Sequence, residues 1–162
     1  MKHAMKSGLV YDISPATLSQ WNEAMTLAYK VFLKFEAKEY GKEGTQNFLE
    51  FVTSTSLEKM FKAGHYVLYV AILEDKVIGV VSLRNENHIS LLFVDENYHR
   101  QGIGQQLIKT MQDFLLKNTK QEFMTVNASP YGEPFYERVG FKATDVRTTQ
   151  DGVIFTPMQM YL

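Results

Sequence analysis

The chain alternates between short apolar runs and segments in which apolar residues recur every three or four positions. The first pattern is typical of buried strands and the second of amphipathic helices. The predicted strands cover residues 9–13, 66–73, 77–83, 89–94, 123–127 and 153–161, with a short one near Phe141. The predicted helices cover residues 15–35, 46–53, 55–64, 103–115 and 133–139.

Turn and cap signals set several of these boundaries. The dipeptide Ser14–Pro15 predicts the start of the first helix, with proline at its first position. Gly41 and Gly44 predict a break before the second helix. Thr55 with Glu58 fits a capping box for the third.

The order of these elements predicts an α/β fold, namely a mixed α+β sheet with helices on both faces. The 162 residues, of which 45% are hydrophobic, predict a single domain over residues 1–162. Seventeen basic and eighteen acidic side chains give a formal net charge of −1, and no block of Lys or Arg is present. This balance predicts neither nucleic acid nor a membrane as a partner.

The absence of cysteine excludes disulfides and a covalent acyl-cysteine route. No apolar leader or membrane-length run is present, which predicts a soluble, cytoplasmic protein. The four histidines are scattered along the chain without the spacing of a zinc site, so no metal is predicted.

The most informative stretch joins a predicted strand to a predicted helix through Gly102 and Gly104. A helix N-terminus attracts anions, and glycine lets a phosphate approach the main chain closely. A mononucleotide P-loop is disfavoured because Gln105 and Gln106 stand where Lys and Ser or Thr are required. A dinucleotide fingerprint is disfavoured because Leu107 replaces the third glycine. A nucleotide-dependent kinase would also need a lysine and acidic metal ligands that the motif lacks.

Residues 94–104 resemble the acyl-CoA signature of the GNAT superfamily of N-acetyltransferases, commonly V-x-P-x-Y-R-G-x-G-x-G/A. The residues in register with that signature are Val94, Tyr98, Gly102, Ile103 and Gly104. The residues that depart from it are Glu96, His99 and Arg100, in place of the usual proline, the usual Arg or Gln, and a frequent glycine.

A second segment, residues 126–141, resembles the later motif of the same family. In that motif an asparagine at the end of a strand (here Asn127) precedes a short helix, a tyrosine (Tyr136) and a Gly-Phe pair. The resemblance implies a GNAT-like acyl-CoA N-acyltransferase fold with a splayed central sheet. In that fold acyl-CoA enters between the strand that precedes the loop carrying Gly102 and Gly104 (the glycine loop) and the next strand along the chain.

The resemblance implies acetyl transfer from acetyl-CoA, a co-substrate, to the primary amine of a small molecule or peptide. Main-chain N–H groups from Gln101 to Gln105 would hold the pyrophosphate, and a backbone N–H near Leu92 to Val94 would stabilise the oxyanion if the strand bulges there. The implied cofactor-binding residues are Leu92, Phe93, Val94, His99, Arg100, Gln101, Gly102, Ile103, Gly104, Gln105, Asn127 and Tyr136.

Tyr136 is the expected general acid, because a phenol with a pKa of about 10 is close enough to a thiol of about 8.5 to need no strong tuning. The alternative is that Tyr136 only packs beside Phe135. Glu36 is the expected base; His88 and a water relay are the alternatives. The acidic residues Glu36, Glu39 and Glu43 would favour a cationic acceptor if they face the cleft.

The sequence leaves open the oligomeric state and one alternative, non-catalytic function. The pattern is compatible with a homodimer but does not require one. A non-catalytic regulatory module that binds acyl-CoA is the alternative function; it would keep the glycine loop but would not need Tyr136.

Overall fold

The computed structural model describes all residues from Met1 to Leu162. Nine strands form one mixed sheet: β1 (Lys2–Ala4), β2 (Val10–Pro15), β3 (Val67–Leu73), β4 (Lys76–Arg84), β5 (His88–Val94), β6 (Phe123–Ala128), β7 (Lys142–Ala143), β8 (Thr148–Gln150) and β9 (Val153–Tyr161). The five α-helices are α1 (Trp21–Phe35), α2 (Ala37–Val52), α3 (Thr55–Lys62), α4 (Ile103–Asn118) and α5 (Glu133–Val139). Short 3-10 helices cover Leu18–Gln20 and Glu96–Tyr98.

The strand order is β1-β2-β3-β4-β5-β6-β9-β7, and β8 also pairs with β9. Every pair is antiparallel except β5 with β6, which run parallel. Helices α1 and α2 cover one face and α4 covers the other. The predicted mixed α/β fold is confirmed. None of the helices combines the length and the hydropathy that a membrane-spanning segment requires.

The central sheet is splayed between β5 and β6. These strands pair only at His88 with Thr125 and at Ile89 with Val126, whereas β5 stays paired with β4 as far as Val94. At the closed end, His88 Nδ1 lies 2.8 Å from Thr125 Oγ1. The sheet therefore opens between β5 and β6 at its other end, as the family resemblance implied.

Strand β5 contributes to both hydrophobic cores, which fixes its orientation in the opening. Leu91 and Phe93 are buried among residues of α1 and α2, while Leu92 and Val94 pack toward α4. The predicted four-residue spacing of α4 places its apolar stripe against this second core. Gly79 in β4 permits this close packing, because a Cβ there would lie 3.2 Å from Leu107 Cδ1.

The predicted start of the first helix is wrong. Ser14 and Pro15 are the last residues of β2, and α1 begins at Trp21. The reason is long-range pairing: Pro15 is in register with Tyr69 of β3, and the next amide, that of Ala16, donates to the Leu68 carbonyl at 2.9 Å. These sheet contacts outweigh the local capping signal.

Other boundaries also differ from the prediction. Helix α2 begins at Ala37, nine residues before the predicted start at Gln46, and it bends at Gly41, where φ is +68°. Gly44 does not interrupt it. Helix α3 is capped by Ser54, whose side chain accepts from the Leu57 amide at 3.1 Å, rather than by Thr55. The sequence does not predict strands β1 and β8, because each has only three residues and no apolar pattern.

Candidate active site

A cleft of about 670 Å³ occupies the opening between β5 and β6. Its walls come from the end of α1, the last residues of β5, the loop that leads into α4, and the segment from Tyr131 to Val139. The cleft thus lies where the sheet loses its pairing, so main-chain groups of β5 border it. Because β6 has diverged there, the N–H groups on that edge of β5 have no strand to pair with.

The loop between β5 and α4 is held rigidly by its own hydrogen bonds. Asp95, only 3% exposed, accepts from the Asn97 amide at 2.9 Å, and its own amide donates to the Ile78 carbonyl at 2.8 Å. His99 Nε2 lies 2.6 Å from the Val94 carbonyl oxygen. His99 therefore ties the loop to the end of β5, which gives this departure from the family signature a structural role.

Two residues of the loop are left-handed, with φ of +62° at Arg100 and +88° at Gly102. A left-handed conformation costs a residue with a Cβ about 1–2 kcal/mol. Glycine is frequent at the position of Arg100 in the resembled signature, and this conformation explains why. The arginine is therefore present at a conformational cost, with its side chain on the cleft.

The two signature glycines have different functions. A Cβ on Gly102 would meet nothing within 4 Å, so the space beside it is open to a ligand. A Cβ on Gly104 would lie 3.1 Å from two atoms of the Phe135 ring, so that space is filled by the protein itself. Gly104 thus serves the packing of α5 on α4. Of the two glycines expected to let a phosphate approach, only Gly102 has open space beside it.

Helix α4 begins at Ile103, and the residues of its first turn line the cleft. The first amide to donate within the helix is that of Gln106, to the Gly102 carbonyl at 3.2 Å. The amides of Ile103, Gly104 and Gln105 precede it and have no intrahelical acceptor. Together with the positive end of the helix dipole, they form the anion-binding end that the sequence predicted.

Glu36 lies at the junction of α1 and α2 and lines the cleft. Its backbone leaves the helical region (φ −125°, ψ −27°), which turns the chain between the two helices. Burial raises the pKa of its carboxyl from 4.5 to about 7, with a smaller contribution from the Glu39 charge, while a hydrogen bond from the Ser129 side chain opposes the rise. A carboxyl with this pKa exchanges protons near neutral pH.

Tyr136 is buried in α5, with its ring packed edge-on against Phe135 and Phe141. It does not itself line the cleft but lies directly behind Gly132, which does; a Cβ on Gly132 would come within 3.4 Å of the tyrosine ring. Burial, followed by the nearby charge of Glu36, raises the pKa of the phenol well above its usual value. The phenol is thus a weaker acid than the unshifted group that the sequence argument assumed.

Nine of the predicted cofactor-binding residues line the cleft, namely Leu92, Phe93, Val94, His99, Arg100, Gly102, Ile103, Gly104 and Gln105. Besides Tyr136, two others do not. The side chain of Gln101 points to the N-terminal segment, where its Oε1 accepts from the Ser7 amide at 3.0 Å. Asn127 is exposed on β6, in register with Pro157 of β9.

The cleft also contains residues that the sequence analysis missed. Lys6 and Arg138 bring two further cations to it, and Phe35 lies between the rings of His99 and Tyr131 at centroid distances of 5.1 and 5.2 Å. Phe35 thus connects α1 to both sides of the opening. No local signal marks these residues, since an isolated lysine or aromatic residue is ordinary in any sequence.

Strand β5 contains both the expected oxyanion donor and His88, the alternative base. The irregularity in β5 lies at Ser90, because Ser82 pairs with Leu91 and Leu83 with Ile89. Pairing is regular from Leu92 to Val94, so the bulge invoked for an oxyanion donor is not there. His88 does not line the cleft, and burial with the charge of Arg84 lowers its pKa to about 4.

Comparisons with known proteins agree with this geometry. Residues 36–162 match the family described as an acetyltransferase (GNAT) domain. An uncharacterized N-acetyltransferase of Escherichia coli, YafP, is 35% identical over 94 residues, which are 57% of this chain and 58% of that protein. This match therefore spans little more than half of the relative.

Two solved structures show the same fold across nearly the whole chain. A GCN5-related N-acetyltransferase from Rhodopseudomonas palustris superposes with a TM-score of 0.80 at 18% identity, covering 100% of this chain and 98% of that one. The PaiA N-acetyltransferase of Thermoplasma acidophilum, solved with coenzyme A, gives a TM-score of 0.74 at 15% identity, covering 94% and 99%.

Proposed function

The chain belongs to the GNAT acetyltransferase family, and from this premise we propose that it moves an acetyl group from acetyl-CoA to a primary amine of a small molecule or peptide. The acceptor attacks directly in a ternary complex. The observation that carries the proposal is that Glu36 lines a cleft with unpaired amides and cationic side chains, while Tyr136 lies directly behind the cleft wall at Gly132. The N-acetyltransferase relative and the coenzyme A complex of a structural neighbour support it.

The residues of the cleft fit a coenzyme A thioester. Free amides at the start of α4 and the open space beside Gly102 suit the pyrophosphate. The apolar side chains of Leu92, Phe93 and Val94 suit the pantetheine arm. When bound, acetyl-CoA supplies an acetyl group activated as a thioester.

Glu36 acts as the base in this proposal. Its carboxylate takes a proton from the acceptor ammonium, which leaves a neutral amine able to form the new C–N bond. A group with a pKa of about 7 is half ionised at neutral pH, so it accepts a proton readily without being permanently neutral. Unpaired N–H groups on the free edge of β5 are suitably placed to stabilise negative charge on the carbonyl oxygen.

Tyr136 acts as the acid: its phenol donates a proton to the sulfur as the C–S bond breaks, and the phenolate then takes up the second proton that the acylated nitrogen loses. Burial raises the pKa of the phenol most, and while Glu36 is ionised its carboxylate raises that pKa further by opposing a second negative charge nearby. Once Glu36 has accepted the amine proton, that opposition disappears. The two proton transfers are therefore coupled, and the acid strengthens when the base has acted.

Thermal unfolding with acetyl-CoA, ATP and NADH in parallel tests the cofactor. Acetyl-CoA at about 100 times its dissociation constant should raise Tm by roughly 5–11 °C. ATP and NADH should give smaller shifts in Tm. An absent shift, or a larger one with ATP or NADH, would remove the basis of the proposal.

Turnover with a panel of amines then separates the enzyme from a regulatory module that only binds acyl-CoA. Release of the CoA thiol can be followed with a thiol reagent without background from the protein, because the chain has no cysteine. Acetyl-CoA binding without thiol release for any amine would favour the regulatory module.

A further inference from the structure

The N-terminal hairpin, made by β1, the turn at residues 5–9 and the start of β2, lies against the glycine loop. Its turn is closed by hydrogen bonds from the Met5 amide to the Leu9 carbonyl (2.8 Å) and from the Gly8 amide to the Met5 carbonyl (2.9 Å). Met5 is buried in the core shared with α4. The hairpin is therefore a fixed part of the fold, although it precedes the residues that match the family, 36–162.

One hydrogen bond connects this hairpin to the glycine loop. The Ser7 amide donates to Oε1 of Gln101 at 3.0 Å, between residues 94 positions apart. The contact holds Lys6, the preceding residue, at the cleft that the loop borders.

Lys6 is one of three exposed cations on the rim of the cleft, with Arg100 and Arg138. None of the three forms a salt bridge. The only carboxylate lining the cleft is Glu36. Three unpaired cations beside one carboxylate, in a chain of net charge −1, indicate a local site for a polyanion.

We propose that the N-terminal hairpin is part of the acyl-CoA site, and that Lys6, with Arg100 and Arg138, binds the phosphate groups of the coenzyme A nucleotide. Gln101 contributes by docking the hairpin through its side chain. The inference rests on the proposed function and adds to it a binding element that the family match does not include.

Calorimetric titration of the full chain with coenzyme A tests the role of Lys6. Lys6→Met removes the charge and keeps the apolar stem, and it should weaken coenzyme A binding about 5- to 30-fold, as expected for loss of one charge-assisted contact. Lys109→Met is the matched control, because Lys109 is exposed near His3 of the same hairpin but does not line the cleft. It should stay within about twofold, since screening weakens a distant exposed charge.

The same titration with adenosine 3′,5′-bisphosphate makes the test independent of catalysis. Weaker binding of adenosine 3′,5′-bisphosphate to Lys6→Met supports the inference even if no amine is acetylated, in which case the proposed function alone fails. Equal coenzyme A affinity in Lys6→Met and the unsubstituted protein, or an equal loss in Lys109→Met, would overturn it. The inference would also be overturned if the unsubstituted protein bound neither coenzyme A nor adenosine 3′,5′-bisphosphate.

Dissociation constants for Gln101→Leu address the docking contact separately. Loss of the amide acceptor should weaken coenzyme A binding in the unsubstituted Lys6 background but have little further effect in Lys6→Met, because both substitutions remove the same cation from the cleft. Full additivity of the two losses would contradict a docking role for Gln101.

Discussion

Burial raises the pKa of the Tyr136 phenol, and Glu36 lies close enough for its negative charge to raise that pKa further. The two residues are 100 positions apart and come from different layers of the fold: Glu36 follows the last residue of α1, and Tyr136 lies within α5. Ser129, in the loop between β6 and α5, lies near enough to Glu36 to affect its pKa, and its Oγ accepts from the Gly132 amide at 3.0 Å in front of the tyrosine. This link between the two halves of the splayed sheet is the basis of the first three predictions.

Glu36→Gln should remove a rising limb of the pH–rate profile. In the unsubstituted enzyme kcat/KM should rise with pH and level off above about 7, because Glu36 must be ionised to accept a proton. The variant should lose this inflection and about 10²–10³-fold in kcat. Glu39→Gln is the control; removal of that charge should only shift the inflection slightly downward, since Glu39 helps to raise the Glu36 pKa. An inflection retained in Glu36→Gln would exclude Glu36 as the base.

The same substitution should stabilise the protein at alkaline pH. The pKa of Glu36 is raised from 4.5 to about 7 by folding, so the folded protein holds this proton more tightly than the unfolded chain does. The neutral carboxyl carries no penalty for burial below pH 4.5, and the free energy of unfolding falls as pH rises from 4.5 to about 7. Urea unfolding should therefore give equal stabilities near pH 4.5 and a Glu36→Gln variant more stable by about 1–2 kcal/mol at pH 8, allowing for partial solvent screening. A difference that does not change with pH would contradict burial as the cause.

Tyr136→Phe should slow the chemical step without changing the fold. Loss of the phenol proton should lower the single-turnover rate by about 10²-fold, at the lower end for general acids because the raised pKa makes this one weak. The KM for acetyl-CoA and the Tm should change little. Tyr131→Phe, which removes another phenol at the same cleft, is the matched control. An unchanged single-turnover rate would mean that Tyr136 only packs in the core.

Alanine substitutions at the two signature glycines should each lower the free energy of unfolding, but for different reasons. Gly102→Ala should lose about 1–2 kcal/mol of unfolding free energy from its left-handed backbone alone. Gly104→Ala should be limited by Phe135, so that Phe135→Leu partly rescues it with a coupling energy of about 1 kcal/mol. Denaturant unfolding of the singles and the double variants measures both effects. Rescue of Gly102→Ala by Phe135→Leu would contradict the assignment.

Gly152 should be the least replaceable of the turn glycines. It is left-handed (φ +78°), and an added Cβ would lie 2.9 Å from Glu43 Cβ and 3.0 Å from the Gly44 amide, where the β8–β9 turn meets α2. Gly152→Ala should lower the unfolding free energy by about 2–4 kcal/mol. Gly8→Ala is the control, with a φ of +94° but open space around it, and should lose only the backbone part. Equal losses would show that the contact is unimportant.

Features that depend on neighbours along the chain could be predicted from the sequence. The apolar spacing of α4 places its stripe on the core, and two glycines join β5 to that helix. Nine predicted cofactor-binding residues line the cleft because they belong to this one continuous segment. Local geometry followed from local sequence here, since the conformation of a strand–loop–helix unit is set largely by residues within it.

Features that depend on residues far apart in sequence could not be predicted and are visible only in the folded protein. Sheet pairing placed Ser14 and Pro15 in a strand despite their capping signal. Lys6 reaches the glycine loop through a contact between Ser7 and Gln101, and no pattern near either residue encodes it. The proton affinity of Glu36 likewise comes from burial at a helix junction rather than from its neighbours in sequence. Burial and long-range pairing are properties of the assembled fold, so they appear only once the distant segments are in contact.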